Sequence, residues 1–273
     1  MMMQPSPPKP IAIWSRSRLF FLLIIAVFAL SFLMKLLSYH LDPIITRDGY
    51  TYIKLAESWY DTGVYPDTMF NGYSNWVPPF YLFLMKSLMS FGFSAEMAGI
   101  WINLVLGSFI PLLAYGIAYE IIQRQDIAIC TALLTAVNPS MNELAVGIQR
   151  DIVYLFFSGV IIWSLSAGIH SLKWRYWFGA GLACGCAVLT RFEALEFLVI
   201  VSIIFFCLCG TKQRSWKRIL CWAATFSLSF CGSLLFLSSL MRTQDFILSS
   251  YKQYFYEKIT KMENQIQTGW ESQ

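Results

Sequence analysis

Eight apolar segments follow one another along this chain, at 19–39, 76–92, 96–122, 126–146, 150–169, 176–190, 194–209 and 219–241. Several approach the roughly 20 apolar residues that cross a hydrocarbon core. No soluble core of ordinary composition looks like this: only 13% of the 273 residues are charged, against about 25% in globular proteins. The fold class that follows is an all-α polytopic membrane protein. A β-barrel does not fit, because barrel strands alternate apolar and polar residues whereas these runs are continuous. Leu19–Tyr39 is too long for a removable signal peptide and lacks a small-residue cleavage site, so it reads as an anchor. The net charge of +4 does not point to nucleic acid. The basic residues sit beside apolar segments, as the positive bias of cytoplasmic loops produces.

Those basic residues form four clusters, Lys9/Arg16/Arg18, Arg124, Lys173/Arg175 and Lys212/Arg214/Lys217/Arg218. If all four face the cytoplasm, an even number of crossings separates each neighbouring pair. Segments 126–146 with 150–169, and 176–190 with 194–209, satisfy this directly. The first interval holds three segments, so one of them does not cross. The weakest is 76–92, which is short, begins at Pro78-Pro79 and carries Lys86; it reads as a helix in the interface plane. The expectation is about seven transmembrane helices and a cytoplasmic disordered tail, 1–18. The membrane module covers 19–241, with an external first loop of about 40–96 carrying amphipathic surface helices. An external segment, 242–273, follows. Inside the loop, Thr46 or Asp48 can cap a helix running to about Asp61, with Gly63 just past its end. On that helix Asp48, Tyr52, Leu55 and Trp59 share one stripe, and Tyr50, Lys54, Glu57 and Asp61 share a polar one.

Four groups of ionisable residues fall on the same, external side: Arg47/Asp48, Lys86, Arg150/Asp151, and Arg191/Glu193/Glu196. Such residues at the edge of membrane helices are costly and usually face a cavity or a partner. Arginine meets phosphate in a planar, bidentate way, and a nearby carboxylate can take a proton from an attacking hydroxyl. Each group also has an ordinary explanation. Asp48 is equally suited to be the helix cap, Arg47 to reach headgroups, Arg150/Asp151 to mark an interface, and Arg191 with Glu193 to form a buried ion pair. His40 and His170 read as interface residues. All seven cysteines lie in apolar stretches, and Cys184-x-Cys186 and Cys207-x-Cys209 lack a neighbouring His or carboxylate at ligand spacing. They read as packing residues, and no metal site is assigned. No nucleotide-phosphate loop, nucleophile elbow or zinc-protease motif is present. Spacing alone therefore gives an external, lipid-facing site for an anionic substrate.

The order of motifs carries more. Arg47-Asp48-Gly49-Tyr50-Thr51-Tyr52 through Glu57, then Gly63, then Pro78-Pro79, resembles the start of the membrane-embedded GT-C glycosyltransferases. The similarity is to the protein O-mannosyltransferase and aminoarabinose-transferase superfamily. Asn138-Pro139, Arg150-Asp151 and Leu189-Thr190-Arg191-Phe192-Glu193 through Glu196 continue it, so that it spans about 19–210. The resemblance implies a polyprenyl-phosphate-linked sugar as donor and, as acceptor, a glycan, lipid or protein on the outer side of a bacterial inner membrane. It implies Asp48 as the catalytic base, with Arg47, Tyr52, Glu57, Arg150, Asp151, Arg191, Glu193 and Glu196 as substrate-binding candidates. Arg150 and Arg191 are expected to neutralise the departing phosphate. No cofactor is required by these residues, although carboxylates beside a phosphate have the oxygen chemistry to recruit Mg²⁺ or Mn²⁺. Two departures stand out. Trp76-Val77 occupies the place where aminoarabinose-transferase relatives carry a basic residue before proline. Members of this superfamily usually have eleven or more spans, so about seven spans read as a truncated GT-C-like protein, a minimal version, or half of an assembly completed by a further membrane subunit.

Overall fold

The computed structural model describes residues 13–43, 45–66, 77–210, 215–241 and 243. Residues 1–12 of the expected N-terminal tail, Trp76, Lys212, Arg214 and the C-terminal segment apart from Thr243 lie outside the described residues, whereas 13–18 of that tail are helical and begin the first helix. Ten α-helices and one 3-10 turn make up what is described, with no strand among the described residues.

Helix α1 (Ile13–Leu41) leads into two shorter helices, α2 (Arg47–Thr62) and α3 (Pro79–Met89). Helix α4 (Ala95–Ile122) then runs back along α1. The Phe20 ring lies 5.8 Å from that of Tyr115, which sets the start of α1 against the end of α4. After a two-residue turn come α5 (Gln125–Val137), α6 (Pro139–Val146) and α7 (Asp151–Ser171). Helix α8 (Trp174–Val188), a 3-10 turn (Phe192–Leu195), α9 (Glu196–Gly210) and α10 (Trp216–Met241) complete the bundle.

Five helices have the length and apolarity of a membrane span: 20–41, 95–122, 151–171, 192–210 and 216–241. The protein is therefore a multi-pass membrane protein, as expected, but two of the seven anticipated spans are short. Segment 126–146 is broken, because a residue before proline is pushed out of the α region. Asn138 is extended, and its side chain caps α6 by accepting from the Met141 N–H at 3.2 Å. Helix α8 has only 15 residues, about 22 Å of rise. Both still run between the two ends of the bundle. The chain leaves α4 at Ile122 and returns to its first half, where the Asn103 amide donates to the Gln149 carbonyl at 3.1 Å. It leaves α7 at Ser171 and returns to its start, where Arg191 pairs with Asp151.

Helix α3, at 11 residues, spans only about 16 Å, so it does not cross. Its expected interface position is modified in one respect. Phe80, Tyr81, Leu82, Met85 and Met89 are buried against α2 and α4, in one core with Tyr52, Leu55 and Trp59. The loop helices are thus a packed layer over one end of the bundle. A second core joins α7, α8, α9 and α10 around Trp177, which stacks on Trp222 at 5.6 Å and on Phe205 at 4.9 Å.

Candidate functional site at one rim of the bundle

Helix α2 begins where its capping chemistry dictates. Thr46 is extended, and its hydroxyl accepts from the Gly49 N–H at 3.0 Å while donating to the Gly147 carbonyl at 2.9 Å. Thr46 therefore takes the cap that sequence left open between it and Asp48. A β-carbon at Gly49 would stand 2.9 Å from the Gly147 oxygen, so glycine is what lets the first turn of α2 approach this closely. Asp48 follows in that first turn, exposed, with no hydrogen bond or ion pair among the described residues. A second tether fixes the other loop helix: the Phe80 N–H donates to the Leu189 carbonyl at 3.0 Å.

Between the tethers lie the charges. Arg191, extended at the end of the α8 corner, pairs with Asp151 and also holds Glu193, through Nη2 to Oε1 at 3.2 Å and Nε to Oε2 at 3.3 Å. Its guanidinium stands 5.5 Å from the centroid of the Tyr154 ring. Arg150 is half-buried, and its Nη1 is buried without a hydrogen-bond partner among the described residues. Tyr52 shows how these groups relate. Burial pushes its phenol above the ordinary range; Arg150 and Arg191 pull it down, and Asp48 and Asp151 push it up. All four charges therefore act on one hydroxyl, which stays protonated and able to donate at neutral pH. Glu193 in turn lies within electrostatic reach of Arg150.

The backbone beside Arg150 is strained. Ile148 is fully buried and has φ of 48°, a left-handed conformation that β-branched residues adopt only when their surroundings impose it. An open groove of about 390 Å³ lies nearby, between the end of α1, the α2 cap and α6, with Asp42, Thr46, Glu143 and Gly147 in its walls.

The structure thus joins Asp151, Arg191 and Glu193 directly and sets Asp48 and Arg150 within electrostatic reach of Tyr52. It leaves three expected residues apart. Glu57 pairs with Lys54 at 2.8 Å on the outer stripe of α2. Glu196 is exposed, at the start of α9 just past the 3-10 turn at 192–195. Arg47 is exposed beside Asp48, outside the groups that act on Tyr52. Lys86 also goes elsewhere, its ammonium 4.8 Å from the Trp59 ring centroid. His40 and His170 close α1 and α7 at opposite ends of the bundle. Sequence reasoning missed Tyr154, although it lies one helical turn beyond Arg150. It also missed Gly147, whose role is in its carbonyl and leaves no trace in residue type.

A bundle with five membrane-length helices among the described residues, carrying a carboxylate, a phenol and two guanidinium groups at one rim, defines a membrane protein with a polar site at its surface. Residues 77–236, more than half of the chain, match the family described as dolichyl-phosphate-mannose-protein mannosyltransferase, and the chain belongs to it. Its fold is similar to that of a solved S. cerevisiae protein O-mannosyltransferase, the Pmt1-Pmt2 complex bound to the sugar donor. The TM-score is 0.65 at 19% sequence identity, over 82% of this chain and 33% of that one. The chain therefore spans about a third of the length of that neighbour. No curated protein matches it.

Proposed function

We propose that the chain transfers a sugar from a polyprenyl-phosphate-linked donor to an acceptor on the outer face of a membrane. The observation that carries this reading is that the Asp48 carboxylate, without a hydrogen bond or ion pair among the described residues, and the Arg150 guanidinium, with its buried unpartnered Nη1, both lie within electrostatic reach of the Tyr52 phenol at one rim of the bundle. Asp48 takes the proton of the acceptor hydroxyl as its oxygen attacks the anomeric carbon in line, with Tyr52 donating a hydrogen bond beside it. The lipid phosphate leaves toward Arg150, whose buried Nη1 is ready for an anionic acceptor atom. Arg191 has a different part from the one its charge suggested. Two carboxylates already satisfy it, so it holds Asp151 and Glu193 in place. Among the described residues no three His, Cys, Asp or Glu side chains gather into a metal-holding group. Mg²⁺ or Mn²⁺ enters this reading only as an ion carried by the donor phosphate.

Family membership and the yeast neighbour support a lipid-linked sugar as donor. The outer face is supported by charge: Arg124, Lys173, Arg175, Lys217 and Arg218 follow or precede helices at the other end of the bundle, where the positive-inside tendency places the cytoplasm. A bacterial inner membrane is part of this proposal, carried over from the sequence resemblance to aminoarabinose transferases alone. The test is sugar transfer from a synthetic polyprenyl-phosphate sugar by purified wild type and Asp48→Asn. Loss of turnover by at least about 100-fold is expected from removing a catalytic base; unchanged turnover removes Asp48 from the reaction. A second reading, a non-catalytic subunit that binds the lipid carrier, is favoured by the two-protein composition of the yeast neighbour. It gives polyprenyl-phosphate binding by wild type without transfer.

A further inference from the structure

Lys35 is a lysine inside an apolar span, less than two turns from its end at Leu41, and it is 1% exposed. No carboxylate pairs with it among the described residues. Burying an ammonium without a counter-charge is costly, and an apolar side chain of similar length fits the same space, so its presence calls for a physical reason. Its hydrogen bonds supply one. Nζ donates to Ser31 Oγ at 2.7 Å, one turn away on its own helix, and to Asn142 Oδ1 at 3.2 Å, on α6. Helix α4 leaves room for this reach: a β-carbon at Gly107 would stand 2.9 Å from Lys35 Cε.

Helix α6 has only eight residues, too few to be stable on its own. The connection that follows it carries the strained Ile148 and leads into Arg150 and Asp151. Three hydrogen bonds from three different helices hold this stretch: Lys35 to Asn142, Thr46 to the Gly147 carbonyl, and Asn103 to the Gln149 carbonyl. The second also fixes the cap of α2, two residues from Asp48. Strained backbone persists only where its surroundings over-determine it, and these three bonds bracket Ile148.

We infer that Lys35 is a positioning residue: its buried hydrogen bond to Asn142 anchors α6 and so sets the spacing between Asp48 and Arg150. This rests on the reading that those two groups act on one substrate. The full chain is purified as wild type, Lys35→Met, Asn142→Leu, Asn142→Asp and the Lys35→Met/Asn142→Leu pair. Backbone hydrogen exchange is then followed without any substrate. Exchange at residues 141–150 is expected to rise about tenfold in Lys35→Met and Asn142→Leu while α8 and α10 stay protected. The double variant is expected to be no worse than either single one, because both remove the same bond, and Asn142→Asp, which keeps the acceptor, is expected to match wild type. Sugar transfer is expected to fall at least about tenfold in Lys35→Met, with polyprenyl-phosphate binding within about twofold of wild type, since Arg150 itself is intact. Unchanged exchange at 141–150, or additive effects in the double variant, overturns the inference. If Lys35→Met does not fold, Asn142→Leu against Asn142→Asp decides in the same way. Absence of transfer by wild type counts against the proposed function alone, because the exchange measurement judges the tether independently.

Discussion

Thr46 and Asp48 are both good helix caps, and which of them takes the role decides whether Asp48 has a carboxylate to spare. The threonine wins because its hydroxyl does two things at once, accepting from Gly49 and donating to Gly147, which a carboxylate cannot do when ionised. The two arginines divide in the same way. Arg191 spends its donors on Asp151 and Glu193, while Arg150 keeps a buried nitrogen without a partner among the described residues. Arg150→Gln is therefore expected to weaken binding of polyprenyl phosphate by about 1.5–3 kcal/mol, the worth of a hydrogen bond to a charged group. Arg150→Lys restores only part of it, because an ammonium lacks the planar fork. Calorimetric or mass-spectrometric titration of the lipid phosphate measures this, and equal affinity in Arg150→Gln and wild type removes Arg150 from the phosphate site. Residue type made both arginines visible in the sequence. What separates them is carboxylate geometry created by a 40-residue return of the chain, and no local pattern encodes that.

Helix α2 was legible nearly to the residue, because its ends are set by Thr46 and by Gly63, whose φ is 72°, and both act within one turn. The corner after α8 was not, since its 3-10 turn accompanies burial of Phe192 and Ala194 and has no cap or glycine to mark it. Lys35 stood in plain view inside an apolar segment, yet its partner lies 107 residues away. The closest helix contact was equally silent. Gly181 and Gly185 on α8 face Phe226, Ser229 and Ser233 on α10: a β-carbon at Gly181 would stand 2.4 Å from the Phe226 carbonyl, and one at Gly185 1.9 Å from Ser233 Oγ. Spacing of four between small residues is how membrane helices bring backbones together. Gly181→Val forces the two helices apart, and overpacking of that kind costs about 1–3 kcal/mol. A lower unfolding temperature in detergent is expected. Gly232→Ala on α10, where nothing lies within 4 Å, is expected to be neutral or stabilising by up to about 1 kcal/mol. Equal unfolding temperatures for Gly181→Val and wild type contradict this packing.

At the scale of the whole molecule, the course of the chain and the distribution of charge make one statement about orientation. The ends of α1 and α8 and the starts of α4 and α7 meet beside α2 and α3, tied by Thr46 to Gly147, Phe80 to Leu189, Asn103 to Gln149 and Arg191 to Asp151. The turns between α4 and α5 and between α7 and α8 lie at the other end and carry Arg124 and Lys173, with Arg175 in the first turn of α8. Lysines and arginines in short connections tend to stay on the cytoplasmic side, so the expected orientation puts the rim with Asp48 outward. On the proposed function, a lipid-phosphate donor then reaches Arg150 from the outer leaflet. Single cysteines at Asp61 on α2 and at Arg175 at the start of α8, both exposed, separate the two ends in a chain whose seven native cysteines are replaced by alanine or serine. In intact cells a membrane-impermeant thiol reagent is expected to label the Asp61→Cys protein, and to label the Arg175→Cys protein only after the membrane is opened. Labelling of the Arg175→Cys protein alone reverses the orientation and moves the acceptor to the cytoplasm. Equal labelling of both from outside is incompatible with an odd number of crossings between α2 and α8, which is what the antiparallel run of α4, α5 and α7 requires.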